Sequence, residues 1–293
     1  MTENIIHSLL TSIGISISEG QISNIIIKEK ADIFTKEKEE IMTAGIEASK
    51  NINIDDAGFK ENGVSKYINI ICNTLFSVFI VNDRKNQETV KKMFENYDLK
   101  DKVLGCDDAG QWKVLNVLIQ LCWVHEERHF KKLVPVMTLH KEELKLVTSE
   151  LWDFYLLLKE YKKNPNENAK NALSKMFDDI FDRQFNYPAL NNRLALTYAK
   201  KDELLTVLEN PDTDLHNNIS ENGIRSAVVK RGISNGTRVN DGTVAWSNHL
   251  SLLSTCKKLG VSYYDYVLDI FMCRTPEKKL ATLIKEKATE IAA

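Results

Sequence analysis

Asn51-Ile52-Asn53-Ile54-Asp55-Asp56-Ala57-Gly58 places two carboxylates directly behind a short β-prone run, and Val103-Leu104-Gly105-Cys106-Asp107-Asp108-Ala109-Gly110 repeats the arrangement. The tetrapeptide Asp-Asp-Ala-Gly therefore occurs twice, and each copy is expected at the end of a strand. Two such pairs can converge on one edge of a sheet. At ~4 Å and an effective dielectric of ~20, two carboxylates repel by about 4 kcal/mol. A divalent cation is the simplest counter-charge, which points to a metal-dependent catalyst rather than a binding module.

Outward from the first copy, the chain changes character on both sides. Residues 1–50 read as helical, with Ser18 and Gln21 fitting a capping box and Gly45 as the weak point before Lys50. After Gly58 comes a turn at Asn62-Gly63 and then an apolar stretch over 67–82, so three strands joined by tight connections are expected. A helix around 87–96 leads to a strand over 102–106. A brief helix near Trp112 and a strand over 117–123 follow the second acidic pair. Strands interleaved with helices imply a mixed α/β sheet. From about 125 to 210 the strand signal vanishes, and Leu144, Val147, Leu151, Phe154 and Leu158 mark one helical face. Asn164-Pro165-Asn166 breaks the helices there, 211–216 is a polar loop, and helices return over 217–229, 243–259 and 275–291.

Composition narrows the function. The 293 residues are 43% hydrophobic and 27% charged with a net charge of −2, as in an ordinary globular protein, so any nucleic-acid contact must come from a local patch. No Lys or Arg precedes Lys28, so a secretory n-region is missing, and no apolar run approaches the ~20 residues of a membrane span. Five scattered cysteines without a Cys-x-x-Cys pair argue for a reducing cytosol. A cytoplasmic protein, associated with the nucleoid when bound to DNA, is expected.

Glu221 is the third acidic candidate. In the helix over 217–229 it shares a face with Ile224, Arg225 and Val228, which turns a carboxylate toward the core, where it is costly unless paired. Arg225, one turn on, is one partner; metal shared with an Asp from each tetrapeptide is the other. Two divalent ions held in this way activate a water or 3′-hydroxyl and stabilise the leaving oxygen. Magnesium suits carboxylate and water ligands. Asp178-Asp179, a third acidic pair in mid-helix, reads as a solvated face.

Three stretches together resemble bacterial insertion-sequence transposases of the Asp-Asp-Glu class, especially the IS-sixty-six-like group. They are Ile54 to Gly58, Asp107 through Phe130 with Cys122-Trp123-Val124-His125, and His216-Asn217-Asn218-Ile219-Ser220-Glu221-Asn222 through Arg225. The last is similar to the family's Asn-Asn-x-x-Glu-x-x-x-Arg helix and is the most specific. Gly260-Val261-Ser262 with Tyr264, Asp265 and Tyr266 resembles its closing helix. The resemblance implies a ribonuclease-H-like mixed sheet flanked by helices, with an all-helical insertion between the second Asp and the Glu. The divisions would be a helical segment over 1–50, catalytic domain over 51–124, insertion over 125–210, and the rest of the catalytic domain with C-terminal helices over 211–293. The implied ligands of two Mg2+ (or Mn2+) ions are Asp55, Asp107 and Glu221. Asp56 and Asp108 are the fallback, because strand parity alone does not choose within a pair. Arg225, Asn217 and Asn218 belong to the supporting helix.

Cys122 and His125 form a Cys-x-x-His pair, and related transposases carry a similar one. Zinc normally takes three or four protein ligands. His129 offers a third, but no further cluster appears. Otherwise His125 hydrogen-bonds near the site, contacts a phosphate or is simply structural, and Cys122 is a small buried hydrophobe. DNA contact is expected from the C-terminal third, where 222–258 holds six Lys/Arg against the single acid Asp241. Lys230, Arg231, Thr237 and Arg238 are the candidates, with the loop Ser234-Asn235-Gly236-Thr237-Arg238 offering N–H groups and a guanidinium to phosphate. Trp123 and Trp246 read as core. Relatives carry a sizeable DNA-binding region before the catalytic domain, and here about fifty residues precede Asp55, so the chain reads as a fragment or as dependent on another protein. The implied function is phosphodiester hydrolysis and strand transfer at transposon ends, by a homodimer on double-stranded DNA. A non-catalytic DNA-binding or self-association protein derived from a transposase is the alternative.

Overall fold

The computed structural model describes residues 3–274, 276 and 278–292. In chain order the helices are α1 Glu3–Ser12, α2 Glu19–Ile27, α3 Ala31–Glu47, α4 Gln87–Phe94, α5 Trp123–Lys131, α6 Thr138–Lys163, α7 Glu167–Phe181, α8 Pro188–Tyr198, α9 Lys201–Leu204, α10 Thr206–Glu209, α11 Asn218–Ser234, α12 Asn240–Leu259, α13 Tyr263–Phe271 and α14 Leu280–Ala292. The strands are β1 Asn51–Glu61, β2 Val64–Cys72, β3 Ser77–Asn82, β4 Val103–Cys106 and β5 Leu118–Leu121. Parallel and antiparallel pairs both occur, so the fold is mixed α/β. The chain divides into two units, Met1–Asp98 with Asn218–Ala293, and Leu99–Asn217.

In the first unit β1, β2 and β3 form an antiparallel meander. Asn62 and Gly63 both adopt positive φ, 50° and 79°, the conformation a two-residue hairpin demands and the reason Asn-Gly predicts one. The register pairs Asp55 with Ile70 and Ala57 with Ile68. Ile68 and Ile70 pack with Phe59, Cys72 and Phe79 against Ile224 and Ala227 of α11, with Trp246 and Leu250 of α12 alongside. Trp246 stacks on Phe59 at 5.0 Å, so it serves the core as expected. Edge strands invite unwanted pairing, and here the free edge of β3 is covered. The Ser77 and Phe79 amides donate to Thr255 and Ser251 hydroxyls of α12 at 3.1 and 2.9 Å.

Two expectations about this unit change. The first Asp-Asp-Ala-Gly lies inside β1, not behind it, because β2 pairs with β1 continuously as far as the turn. Gly45 is no weak point either. A Cβ there would stand 2.5 Å from the Phe76 ring, so glycine is what lets α3 approach. The helical first fifty residues are three helices, with Ser18 capping α2 through the Gln21 amide and Lys30 breaking the run at φ 60°. The expected helix over 275–291 begins at Leu280; positions 275 and 277 lie outside the described residues.

Lys38 gives this unit a pH signature. Its ammonium is drawn between α3 and α12, 3.2 Å from the Ser247 hydroxyl. Burial lowers its pKa from 10.5 to about 8, with Glu39 opposing. Below about pH 8 both states carry the charge and the folded state bears the full desolvation cost. Between there and 10.5 the unfolded chain binds more protons, so this group's contribution to stability rises with pH. Lys38→Met should flatten that rise relative to wild type and raise the neutral-pH melting midpoint. Melting curves for both proteins across this range, read as a difference, should show it; parallel curves would exclude it.

The second unit holds a parallel pair, with Val103 opposite Leu118 and Cys106 opposite Leu121. Its helical core is aromatic: Trp123, Phe130, Phe154, Phe177 and Phe181 are all nearly inaccessible. Val147, Leu151, Phe154 and Leu158 form the buried stripe that their spacing predicts, whereas Leu144, expected on the same face, is half-buried. Buried Gln120 spends its whole amide on backbone, with Nε2 donating to Leu121 and Leu204 carbonyls and Oε1 accepting from the Val207 amide. That arrangement ties β5 to α9 and α10.

Candidate active site

Strand parity puts the two members of the first acidic pair on opposite faces of the sheet. Asp55 has the parity of Ala57 and Phe59 and the register partner Ile70, so it belongs to the face that α11 covers. Asp56 belongs to the opposite face, where its carboxylate meets Lys85 Nζ at 2.8 Å. The Asp56 amide in turn donates to Asp55 Oδ1 at 2.8 Å. Above that face runs α11. A Cβ at Gly223 would meet Ile70 Cδ1 at 2.4 Å, so glycine allows the helix start to press onto β2 opposite Asp55. Farther along, Arg231 Nη1 donates to the Gly58 carbonyl at 2.8 Å. Glu221, in the first turn of α11, therefore starts the helix that lies over Asp55.

The face of α11 differs from the sequence reading. Its buried side is Ser220, Ile224 and Ala227, whereas Val228 is 37% exposed and Arg225 is exposed. The helix is rotated so that Gly223, Ile224 and Ala227 meet the sheet, leaving Glu221 half-buried at the margin. Among the described residues no Glu221–Arg225 ion pair forms, since Arg225 points outward.

The second pair divides similarly within its own unit. Asp107 follows β4 as expected, and its Oδ1 accepts from the Trp112 indole N–H at 2.8 Å and the Ala109 amide at 3.3 Å. Asp108 instead pairs with Lys113 at 3.4 Å and more closely with Lys200. Lys200 also reaches Glu126, which is buried with Arg193 and Thr197. In both tetrapeptides the second Asp is neutralised by lysine and the first accepts from an uncharged N–H. The partners Lys85, Trp112, Lys113 and Lys200 carry no sequence signal, because each is brought in by a turn or a distant helix.

Cys122 is buried and caps the start of α5, and its Sγ accepts from the Asn217 amide at 3.3 Å. His125 Nε2 lies 3.0 Å from Arg128. His129 is held neutral-leaning by burial and by the Arg193 charge, both of which lower its pKa. Asn217 is buried beside Cys122, while Asn218 is exposed at the start of α11. Burial of Cys106, with Asp107 nearby, raises its thiol pKa well above the ordinary value.

The expected phosphate-binding loop is partly committed elsewhere. The Thr237 amide donates to the Lys60 carbonyl at 3.0 Å, its carbonyl accepts from the Asn62 amide at 2.8 Å, and its hydroxyl meets Thr243 at 2.6 Å. Thr237 thus braces the loop rather than offering donors to a ligand, and Arg231 spends Nη1 on Gly58. Lys230 and Arg238 remain as the cations of this segment.

With this geometry in place, comparison with known proteins gives the class. The model of a transposase family, described as Transposase IS66 family, matches residues 4–245. The chain belongs to that family. It is 44% identical over 171 residues to the uncharacterized protein y4jO of Sinorhizobium fredii (strain NBRC 101917 / NGR234). That alignment covers 58% of this chain and 53% of y4jO, so the chain spans about half the length of this relative. No helix among the described residues is long and apolar enough to cross a membrane.

Proposed function

We propose that this chain is the catalytic part of a DNA transposase, cutting a phosphodiester at an element end and joining the 3′-hydroxyl to target DNA. The observation that carries the reading is the shared division of the two acidic pairs. Asp56 is tied to Lys85 and Asp108 to Lys113 and Lys200, while Asp55 lies under α11 and Asp107 accepts from Trp112. The donor set of Asp55, Asp107 and Glu221, all carboxylates, suits hard divalent cations such as Mg2+ or Mn2+, taken as two ions. When bound, such ions lower the pKa of a water and stabilise a leaving oxygen.

The chain's own residues do the rest. Trp112 fixes Oδ1 of Asp107 and so orients the carboxylate, a role that second partners of metal ligands commonly fill. Arg225 is exposed, which supports a contact with phosphate rather than with Glu221. Lys230 and Arg238 add sequence-independent attraction to the DNA backbone. A ribonuclease-H-like fold is supported by a three-stranded antiparallel meander followed in the chain by a parallel pair. Two element ends handled together would call for a homodimer.

The test is calorimetric titration with manganese alongside nicking of a duplex carrying element ends. Wild type should bind saturably and nick; Asp107→Asn should do neither. Trp112→Phe, which keeps an aromatic side chain of smaller volume and removes the indole N–H, should weaken manganese binding by about tenfold, within the range for such outer partners, with a thermal melt as the folding control. Duplex binding without saturable manganese uptake would instead identify a non-catalytic DNA-binding derivative.

A further inference from the structure

The tip of the β1–β2 hairpin and the segment after α11 are joined into one element. The Asn62 amide donates to Thr237 O, the Thr237 amide donates to Lys60 O, and Glu61 and Thr237 form a parallel bridge. Gly236 is forced at the crossing: its φ is 98°, and a Cβ would stand 1.9 Å from Lys60 O. Side chains lock the base of the joint. Glu61 takes Lys66 at 2.7 Å and the Thr243 hydroxyl, and Thr243 in turn meets Thr237. Lys66 also pairs with Asp83 at 3.1 Å.

What this braced element presents outward is unusual in its combination. Val64 is 62% exposed at the hairpin tip, and Ile233 and Val239 are 75% and 54% exposed on the neighbouring segment. Single exposed apolar residues need no explanation. These three, however, flank the backbone joint at Lys60, Asn62 and Thr237, Ile233 in the last turn of α11, and are interleaved in sequence with Lys60, Lys230 and exposed Arg238. The only carboxylate of the hairpin tip, Glu61, is already neutralised by Lys66. A rigid, cationic surface with protruding aliphatic side chains matches duplex DNA, whose phosphates take the cations and whose minor groove admits aliphatic wedges.

We infer that the hairpin tip and the segment over 233–239 form a two-pronged duplex-DNA contact, with Val64 and Ile233 as apolar prongs and Lys60, Lys230 and Arg238 on phosphates. The inference rests on the DNA-directed function above and extends it to the tip of the β1–β2 hairpin, which none of the candidate DNA-contact residues included. Gly236 is the positioning residue that couples the prongs.

Fluorescence anisotropy with a labelled duplex tests it on the full chain. Val64→Asp and Ile233→Asp should each weaken binding by about tenfold, one good contact's worth. Leu9→Asp, the same kind of change on exposed α1, should not. Arg238→Ala should lower affinity and reduce the magnitude of the salt slope by about one. Gly236→Ala should weaken binding comparably although it removes no contacting side chain, with circular dichroism reporting an intact fold. Wild-type binding that survives Val64→Asp, Ile233→Asp and Gly236→Ala unchanged would overturn the two-pronged surface and leave the transposase reading intact. Failure of wild type to bind any duplex would overturn both.

Discussion

Asp55→Asn should reduce metal-dependent nicking by at least ~10³-fold, whereas its neighbour Asp56→Asn should stay within about tenfold of wild type. A bound divalent ion contributes several kcal/mol to the transition state, and about 1.4 kcal/mol corresponds to each tenfold in rate. The two residues are chemically identical and adjacent, so only their faces separate them. Asp55 shares the side of β1 that α11 covers, in register with Ile70. Asp56 lies on the other side, its carboxylate occupied by Lys85. Asp56→Asn keeps the shape of a side chain that is 7% exposed, and Lys85, at 37%, can turn to solvent, so the lost ion pair should cost the fold about 1 kcal/mol. Initial rates on a single duplex substrate, with thermal melts of both variants as the folding control, give the comparison. Equal losses for the two variants would remove the assignment of Asp55.

Arg193→Met should destabilise the chain by about 3–5 kcal/mol, the range for breaking a buried ion pair from one side. Glu126 is 3% exposed, and its carboxylate is held by Arg193, by the Thr197 hydroxyl at 2.5 Å and by Lys200 at 3.6 Å. Without the guanidinium, that buried charge depends chiefly on Lys200, which Asp108 also claims. Urea denaturation should show the loss as a lower midpoint. The double variant Arg193→Met with Glu126→Gln should recover part of it, since the uncompensated charge is then gone. A single variant as stable as wild type would mean that Lys200 and Thr197 suffice for Glu126.

Both predictions depend on partners that lie far along the chain, and this explains what could be read in advance. The Asn62-Gly63 hairpin was legible because two positive-φ residues in sequence have few other uses. The buried stripe of α6 was legible from its spacing. The face of α11 was not, because Val228 looks like a core residue by composition alone. Only the approach of Gly223 to Ile70, with Ile224 and Ala227 buried beside it, shows which side of the helix meets the sheet. The loop after α11 likewise reads as a phosphate cradle until Thr237 is seen bonded to Lys60 and Asn62.

Local order along the chain, by itself, determined the strands, the turns, the helical block and the pairing of two acidic tetrapeptides, since each depends on neighbours within a few residues. Tertiary structure alone decided which Asp of each pair meets a lysine: Asp56 meets Lys85, and Asp108 meets Lys113 and Lys200. That choice depends on which sheet face a helix covers and on which lysine arrives from elsewhere, and both are properties of packing rather than of adjacent residues.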